Sequence, residues 1–497
     1  MPTKFQNFIN GKWVNARSGK TFENRNPANW DEVVGLFPLS DGEDVEAAVK
    51  AARAAFEKWR LVPAPKRGDI LRTVGDLMTA RKEELAKLMT REMGKVLLET
   101  LGDVQEGIDT AYYAASEGRR LFGHTVPSEL PSKFNMAMRM PIGVAGIITP
   151  WNFPMAIPTW KIFPALVCGN TVVFKPASDT PATATKLVEI LAEAGVPPGV
   201  INIVHGGGGK VGMAIVEHPE VDLVSFTGSS SVGKRISEAA GKTLKRVSLE
   251  LGGKNAQVVM EDANLELALE GVLWGAFGTT GQRCTATSRL IVHEKVYDKF
   301  MAMLVDGTKK LRLGDGLKKT SDVGPLVNEA QRETVDSYVK IGLGEGSTLL
   351  AGGKAATSGA LKKGWFYEPT ILADVKPTMR VAREEIFGPV LSVLKVRSIG
   401  EAIEVSNGTP YGLSSSVYTQ NIGYAYQAIR DIRAGITYIN SPTIGAEAHM
   451  PFGGVKETGN GHREGGWTVY EFFSEWKTVY VDYSGKLQRA QIDTNKE

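Results

Sequence analysis

Short, apolar, β-rich segments that alternate with helical segments constrain this chain more than any other feature. From about residue 142, the strand-like runs VAGIITP, TVVFKP, GVINIVHG and LVSFTGS are separated by helical segments such as ATATKLVEILAEAG. A second series, NAQVVM, RLIVHE and VLSVLKV, follows Gly253. Because such alternation is typical of parallel sheets covered by helices, we predict an α/β protein with a doubly wound sheet and a second α/β domain.

The N-terminal and C-terminal regions have different patterns. Apolar residues at helical spacing predict an amphipathic helix from Asp41, and residues 65–121 are also predicted to be helical. A loop containing Pro127 and Pro131 follows. The segments FNMAMRM and EWKTVYVDY are predicted strands, which either form an arm that pairs across subunits or complete a local sheet.

The composition excludes several classes of partner. The chain has 497 residues, more than one hydrophobic core usually organises. Its 58 basic and 55 acidic residues nearly cancel, so neither nucleic acid nor an anionic membrane is expected, and a small-molecule substrate fits better. Two cysteines cannot form a disulfide framework, and no signal peptide or apolar span is visible, which predicts a cytoplasmic protein.

Cys284 is the strongest candidate nucleophile. It lies in GTTGQRCTATSR, where small residues leave room for an electrophile to approach the sulfur. A thiolate forms more readily beside a positive charge or at the start of a helix, and Arg283 is adjacent. Taken alone, a single cysteine is more often a buried, inert thiol than a nucleophile, so further residues are needed to support the role of Cys284.

Two further residues have complementary chemistry. Glu250 in SLELGGKNA stands between an apolar strand and a Gly-Gly turn, where an exposed carboxylate would act as a general base; a turn cap is the alternative. Asn152 in TPWNFP follows a strand, and its amide would donate to an oxyanion. An ordinary Asx turn is the alternative for Asn152.

The motifs TPWNFP, KPA, FTGS, ELGGKN, GQRCTA, EEIFGPV and PFGG occur in the order and approximate spacing of the aldehyde dehydrogenase superfamily, which the chain resembles over nearly its whole length. The resemblance implies a Rossmann-type dinucleotide-binding domain, a second α/β catalytic domain and a small β oligomerisation arm. Their expected bounds are 1–122 with 142–253, 254–460, and 123–141 with the tail 461–497. A homodimer or homotetramer is also implied.

The resemblance implies a mechanism as well. Cys284 attacks the aldehyde, Asn152 and the Cys284 backbone N–H stabilise the oxyanion, hydride passes to a nicotinamide, and Glu250 activates water for deacylation. Lys161 and Glu464 match positions of a proton path around that glutamate, with an ordinary ion pair as the alternative.

Two glycine-rich segments are misleading. GGGKVG at 207–212 satisfies GxGxxG, but no acidic residue follows at the distance that a dinucleotide fingerprint needs. GSSSVGKR at 228–235 has P-loop spacing, yet Arg235 replaces the magnesium-binding hydroxyl. The resemblance instead implies that pyrophosphate lies at Ser229 and the following helix N-terminus. The implied cofactor-binding residues are Trp151, Lys175, Ser178, Gly208, Gly212, Thr227, Gly228, Ser229, Val232, Leu251, Glu385 and Phe387.

Ser178 bears on the choice between NAD and NADP. In FKPASD the resemblance implies that Lys175 binds the adenosine ribose and that Ser178 lies near its 2′ position. Family members restricted to NAD often carry Glu there, whose charge repels a 2′-phosphate. Serine removes that repulsion, so NADP is predicted to be accepted beside NAD. No metal site is predicted.

The sequence around the nucleophile bears on the substrate. Arg283 is predicted to bind a substrate carboxylate or phosphate, with a structural salt bridge as the alternative. GQRCTATSR and PFGGVKETGNGHREGG resemble the branch that oxidises 2-oxoglutarate semialdehyde, so an acidic semialdehyde is favoured. A broad-specificity aliphatic aldehyde or glyceraldehyde dehydrogenase is the alternative. The predicted substrate residues are Phe153, Ile157, Trp160, Arg283 and Thr285.

Two rival classes stay open at this point. In a CoA-acylating enzyme, CoA rather than water would cleave the thioester, but acylating relatives often lack the base at the position of Glu250. A catalytically inactive structural relative is the other rival, and the presence of Cys284, Glu250 and Asn152 together argues against it.

Overall fold

The strands of the molecule form two large and two small sheets. The computed structural model describes residues 2–493. In chain order its strands are β1 (Thr3–Lys4), β2 (Asn7–Ile9), β3 (Lys12–Val14), β4 (Thr21–Asn26), β5 (Asn29–Pro38), β6 (His124–Pro127), β7 (Lys133–Pro141), β8 (Val144–Ile148), β9 (Thr171–Lys175), β10 (Ile201–Ile203), β11 (Leu223–Thr227), β12 (Arg246–Glu250), β13 (Asn255–Val259), β14 (Thr287–His293), β15 (Thr348–Ala351), β16 (Thr370–Ala373), β17 (Val390–Val396), β18 (Ser414–Tyr418), β19 (Ile436–Ile439) and β20 (Ser474–Asp482).

Helices connect these strands and cover the two large sheets. They are α1 (Gly42–Trp59), α2 (Ala64–Ala80), α3 (Lys82–Met93), α4 (Leu97–Glu117), α5 (Ala156–Cys168), α6 (Pro181–Glu193), α7 (Met213–Glu217), α8 (Ser230–Gly241), α9 (Leu265–Phe277), α10 (Glu294–Lys309), α11 (Glu329–Gly344), α12 (Arg380–Arg383), α13 (Ile399–Asn407), α14 (Ile422–Asp431) and α15 (Val469–Phe472).

The first large sheet is doubly wound, as predicted. Its order is β12-β11-β8-β9-β10-β2-β3, and the five strands from β12 to β10 are parallel. The strand order reverses between β8 and β11, because β9 follows β8 on one side while β11 and β12 lie on the other. In open α/β sheets ligands bind at such a switch point, outside the carboxyl ends of the strands.

The second large sheet has the order β15-β16-β17-β14-β13-β18-β19. All neighbours are parallel except the edge pair β15 and β16. Buried aliphatic side chains fill both faces, for example Val258 and Ile291 on one face and Leu290 and Val292 on the other. The prediction of a second α/β unit after Gly253 is therefore confirmed as a feature of the fold.

The N-terminal region holds both predicted and unpredicted elements. Asp41 caps α1 by accepting the N–H of Glu43, which explains why the helix begins where the acidic run starts. The predicted helical stretch 65–121 divides into α2, α3 and α4, and α3 ends at Gly94 with φ of +96°. Strands β1 to β5 were not predicted: β1 to β3 are only two or three residues long, and β4 and β5 are partly exposed with polar residues among the apolar ones.

The predicted strands near both ends pair with each other. Strands β20, β7 and β6 form an antiparallel sheet in that order. The prediction of a loop at Pro127 is wrong, because that residue ends the edge strand β6, a position where proline is tolerated. Residues from Val469 to Phe473 pack in the core beside α5. Pairing across subunits stays a prediction.

Candidate active site

A cavity of about 330 Å³ contains the candidate nucleophile. Its mostly apolar wall includes Leu413, Ile444 and Phe452. All five predicted substrate residues line it: Phe153, Ile157, Trp160, Arg283 and Thr285. Four predicted catalytic or cofactor residues line it with Cys284: Glu250, Glu464, Thr227 and Leu251. Helix α4, to which the sequence assigned no functional role, supplies further wall residues: Leu98, Glu99, Gly102, Asp103 and Glu106.

The loop that carries Cys284 is held by hydrogen bonds from the second sheet. The Asn255 side chain, at the start of β13, donates to the carbonyl of Cys284 at 2.8 Å and to that of Ala286 at 2.9 Å. Thr443 donates to the carbonyl of Thr285 at 2.7 Å. A Cβ on Gly253 would lie 2.6 Å from the Cys284 carbonyl oxygen, so the ELGGKN turn needs glycine there.

The expected causes of thiol activation are not found. Burial raises the pKa of the Cys284 thiol to about 12, and the charges of Glu385 and Glu250 act in the same direction. No helix begins at Cys284, and the adjacent guanidinium of Arg283 is paired with Glu99 at 3.0 Å. The effect of Arg283 on the thiolate therefore stays a prediction, with part of the Arg283 charge neutralised by Glu99. The thiol needs a base when it reacts.

Glu250 is buried rather than exposed, which corrects the expectation of an exposed carboxylate. It ends β12, and its carboxylate oxygens form no hydrogen bond of normal geometry within the described part of the chain, although the nearby Gly454 N–H lowers its pKa. Burial raises its pKa well above the usual range, the nearby charge of Glu464 adds to the shift, and Lys161 opposes it. Desolvation makes this carboxyl bind a proton more tightly than an exposed one, which suits it to act as a base.

Lys161 and Glu464 form a buried ion pair beside Glu250. Lys161 on α5 also donates to Ser225 at 2.9 Å. Glu464 is bridged to Phe452 through paired backbone hydrogen bonds of 2.6 and 2.7 Å. Because the charge of Glu464 raises the pKa of Glu250, the pair is electrostatically linked to the candidate base. Both sequence interpretations, an ion pair and a proton path, are compatible with this geometry.

Asn152 lies in the turn between β8 and α5. It is buried, and its Oδ1 has no partner among residues 2–493. The residue is next to Phe153 in sequence but is not one of those that line the cavity. Its proposed contact with an oxyanion therefore stays a prediction.

The predicted pyrophosphate residues lie after β11, at the switch point of the first sheet. Ser229 caps α8 by accepting the N–H of Val232 at 3.4 Å, and the Gly228 N–H donates to the Glu250 carbonyl at 3.0 Å. Thr227 has a buried Oγ1 without a partner in the described structure and also lines the cavity. The crevice at the switch point, outside the carboxyl ends of the strands of the first sheet, therefore meets the cavity of Cys284 at Thr227 and Glu250.

A second group of predicted cofactor residues is contributed by both large sheets: Trp151 follows β8 of the first, and Glu385 and Phe387 precede β17 of the second. The rings of Trp151 and Phe387 are in edge-to-face contact with centroids 5.3 Å apart. Glu385 accepts the Gly253 N–H at 3.0 Å, and burial raises its pKa to about 7. Gly252 passes so close to Glu385 that a Cβ there would lie 2.3 Å from a carboxylate oxygen.

The predicted adenosine end lies at β9. Lys175 is buried, donates to the Pro176 carbonyl at 2.8 Å, and burial lowers its pKa to about 8. Ser178 donates to the Gly206 carbonyl at 3.3 Å. Gly208 and Gly212 bound a single π-helical turn, and a Cβ on Gly208 would meet nothing within 4 Å.

Arg283 reaches the cavity wall, but it is already paired. Its Nη2 lies 3.0 Å from Glu99 and its Nε donates to Thr279 Oγ1 at 2.9 Å. Glu99, Asp103 and Glu106 recur on one face of α4, a signal that the sequence analysis did not use. Carboxylates at the spacing of a buried helix face are unusual on a purely structural helix.

The described residues were compared with the features of membrane proteins, metalloproteins and disulfide-bonded proteins. No helix among them has the length and apolar character of a membrane span. Residues 2–493 contain no group of three or more His, Cys, Asp or Glu placed to hold a metal ion. Cys168 and Cys284 are both free. A crevice at a switch point that opens beside a thiol and a buried carboxyl has the parts of a dinucleotide-dependent enzyme that works through a covalent intermediate.

Comparison with known proteins agrees with the family that the sequence motifs indicate. A model described as the aldehyde dehydrogenase family matches residues 13–479, and the chain belongs to this family. An alpha-ketoglutaric semialdehyde dehydrogenase of Bacillus subtilis is 44% identical over 96% of this chain and 98% of its own. A D-glyceraldehyde dehydrogenase (NADP(+)) of Picrophilus torridus is 39% identical over 98% of each. A betaine aldehyde dehydrogenase of Staphylococcus aureus, solved with NAD+, has a TM-score of 0.95, 36% identity, and coverage of 97% and 95%.

Proposed function

We propose that this chain oxidises an acidic semialdehyde, such as 2-oxoglutarate semialdehyde, to the carboxylic acid through a thioester on Cys284, with NAD or NADP as the acceptor. The observation that carries this proposal is that the Cys284 thiol and the buried carboxyl of Glu250 line one cavity. The identity to alpha-ketoglutaric semialdehyde dehydrogenase over nearly the whole chain supports the substrate class.

The two side chains divide the reaction into halves. Glu250 takes the thiol proton, and the sulfur adds to the aldehyde carbon to give a tetrahedral oxyanion. The Cys284 backbone N–H and the Asn152 amide donate to that oxyanion. When hydride has left the carbon, the acyl group is a thioester. Glu250 then takes a proton from water, which attacks the thioester and releases the acid and the thiol.

The Lys161–Glu464 pair provides a route for the proton that Glu250 collects. A carboxyl without hydrogen-bond partners must lose its proton before the next cycle. Glu464 lines the same cavity and Lys161 holds it in place. We therefore assign to these two residues the transfer of that proton away from the cavity.

The crevice fits a dinucleotide. Three features are suited to a phosphate-containing group: the Thr227 hydroxyl, which has no partner among the described residues, the N-terminus of α8, and the open glycine turn at 207–209. Residues Trp151, Phe387 and Glu385 would hold the other end. A bound nicotinamide supplies the acceptor for two electrons and one proton as hydride.

Acceptance of NADP rests on Ser178. Its hydroxyl donates to a backbone carbonyl, while the adjacent carboxylate of Asp179 accepts from Asn328 at 2.8 Å. Ser178 itself therefore brings no negative charge to a 2′-phosphate. A relative of similar length is named as an NADP(+) enzyme, which supports the same conclusion.

We further assign dinucleotide binding to residues 1–122 and 142–253, catalysis to 254–460, and assembly into a homodimer or homotetramer to 123–141 and 461–497. The sheet that joins β6, β7 and β20 supports the last assignment. A cytoplasmic location stays a prediction, which the two unpaired cysteines support.

Steady-state assays of acidic, neutral and hydroxylated aldehydes of matched length, each with NAD and NADP, test the proposal. We expect the highest kcat/KM for an acidic semialdehyde and a reduced acidic preference in Arg283→Ala. The Nη1 of Arg283 makes no hydrogen bond to the described residues and is free to bind a carboxylate. Equal kcat/KM for acidic and neutral substrates would overturn the substrate class, and an unchanged preference in the variant would exclude Arg283.

A further inference from the structure

Glu106 is a carboxyl group in the cavity wall that the proposed chemistry does not use. It lies on α4 and lines the cavity that contains Cys284. Its Oε1 is out of contact with solvent and has no hydrogen-bond partner in the part of the chain that the structure describes. Leaving a buried carboxyl oxygen unpaired costs stability, so its retention at a ligand cavity points to a partner that arrives with the substrate.

The neighbouring charges are already paired. Lys95 lies 2.7 Å from Asp103, and both side chains are fully buried. Arg283 is paired with Glu99 at 3.0 Å. Each of the two cations that act on Glu106 therefore has a carboxylate of its own, and Glu106 has no counter-ion.

The groups that face Glu106 favour its neutral form. Burial, together with the charges of Asp103 and Asp109, raises the pKa of Glu106 to about 8 against the opposing charges of Lys95 and Arg283. The phenol of Tyr438 on β19 also faces it and has a pKa raised to about 12. At neutral pH the Glu106 side chain is therefore mainly a carboxylic acid, which can donate a hydrogen bond.

We propose that Glu106, as a carboxylic acid, donates a hydrogen bond to the distal carboxylate of the substrate and so selects acidic semialdehydes. This inference rests on the proposed function and names a specificity residue for it. A hydrogen bond from an acid to a carboxylate is charge-assisted and short, and it complements the charge that Arg283 supplies. When Glu106 ionises, two like charges oppose each other in one apolar cavity and the selection is lost.

The pH dependence of substrate choice tests this proposal. We would measure kcat/KM for succinic semialdehyde and for a neutral aldehyde of the same length from about pH 6 to about pH 10, and take their ratio at each pH. Ionisation of Cys284 and Glu250 changes kcat/KM for both substrates alike, so its effect cancels in the ratio. In the wild type we expect the ratio to fall about tenfold as Glu106 ionises.

Two variants complete the experiment. Glu106→Gln keeps a donor but cannot ionise, so its ratio should favour the acidic substrate and stay constant with pH. Asp109→Asn changes an exposed carboxylate one turn away that does not line the cavity, and its ratio should still fall with pH. A wild-type ratio that favours the acidic substrate but is constant with pH, or a Glu106→Gln ratio that still falls, would overturn the role of Glu106.

A cationic aldehyde tests the alternative in which Glu106 is ionised and acts as a counter-ion for a positively charged substrate. If ionised Glu106 serves as a counter-ion, kcat/KM for 4-aminobutanal relative to the neutral aldehyde would rise with pH and the acidic ratio would not change, which contradicts the proposal. If the wild type shows no acidic preference at any pH, the proposed function itself fails. The two failures are therefore distinguishable.

Discussion

Arg283 and Glu99 form an ion pair, with Nη2 and Oε1 3.0 Å apart, in the wall of the cavity that holds the candidate nucleophile. Glu99 also accepts the Thr279 N–H at 2.8 Å, which fixes the carboxylate in place. The residue next to Cys284 therefore reaches the substrate with part of its charge already neutralised. Selection of an acidic substrate therefore depends on how strongly Arg283 attracts the substrate carboxylate while it is paired with Glu99.

Glu99→Gln should strengthen the acidic preference. Glutamine keeps an acceptor for the Thr279 N–H but removes the charge that competes for Arg283. We expect kcat/KM for an acidic semialdehyde to rise ~3–10-fold relative to a matched neutral aldehyde, equivalent to about 1 kcal/mol. Glu270→Gln, an exposed carboxylate on α9 outside this cavity, is the control and should leave the ratio unchanged. A decrease in Glu99→Gln would show that Glu99 supports substrate binding.

Ser178→Glu should convert the enzyme towards NAD. A carboxylate at this position would repel a 2′-phosphate and accept from a 2′-hydroxyl. We expect kcat/KM for NADP to fall at least about tenfold and that for NAD to change little. Ser178→Gln, which adds length without charge, separates repulsion from crowding. If wild-type kcat/KM for NADP is already about a thousandfold below that for NAD, the interpretation of Ser178 is wrong.

Lys161→Met should destabilise the protein strongly, because it leaves Glu464 buried without a counter-ion. We expect the free energy of unfolding in urea to fall by ~3–5 kcal/mol. The double variant Lys161→Met with Glu464→Leu should recover part of this loss. Lys186→Met removes a partly exposed pair with Glu189 and should cost no more than ~1 kcal/mol. Equal losses in the two lysine variants would contradict the buried pair.

Stability should depend on pH through Glu106. Its pKa is raised from 4.5 to about 8 in the folded state, so the folded state binds the proton more tightly than the unfolded state. The stability that this proton contributes is present below the unfolded pKa and is lost as pH rises towards the folded pKa. We would measure the thermal midpoint of Glu106→Gln minus that of the wild type. This difference should be larger at about pH 8 than at about pH 5. A difference that does not depend on pH would contradict the shift.

The fold was largely predictable because its main signal is local. Short buried runs such as VAGII and TVVFK read as strands, and each is separated from the next by a helical segment. Strands β2 and β3 gave no comparable signal, since they are three residues long and join the sheet through a contact between Phe8 and Ile203 that is distant in sequence.

The site was predictable only where residues adjoin recognisable motifs. Cys284, Glu250 and the predicted channel residues lie in such motifs and line one cavity. The contribution of α4 was missed because the approach of Glu99 to Arg283 joins residues 184 positions apart. Burial of Glu250 was also missed, since its surroundings come from the Gly453 and Glu464 segments rather than from its own strand.

The acyl intermediate on Cys284 provides the most direct test of the central claim. Wild-type enzyme and Glu250→Gln would be mixed with cofactor and an acidic semialdehyde, quenched in acid and measured by intact-mass and peptide mass spectrometry. Loss of the base should slow deacylation ~10²–10⁴-fold. Because Glu250 also takes the thiol proton, the adduct should form more slowly in Glu250→Gln, but once formed it should persist. We therefore predict an acyl adduct on the Cys284 peptide of Glu250→Gln after long incubation, and no adduct in Cys284→Ser. Unchanged turnover in Cys284→Ser, with no adduct on either enzyme, would contradict the central claim.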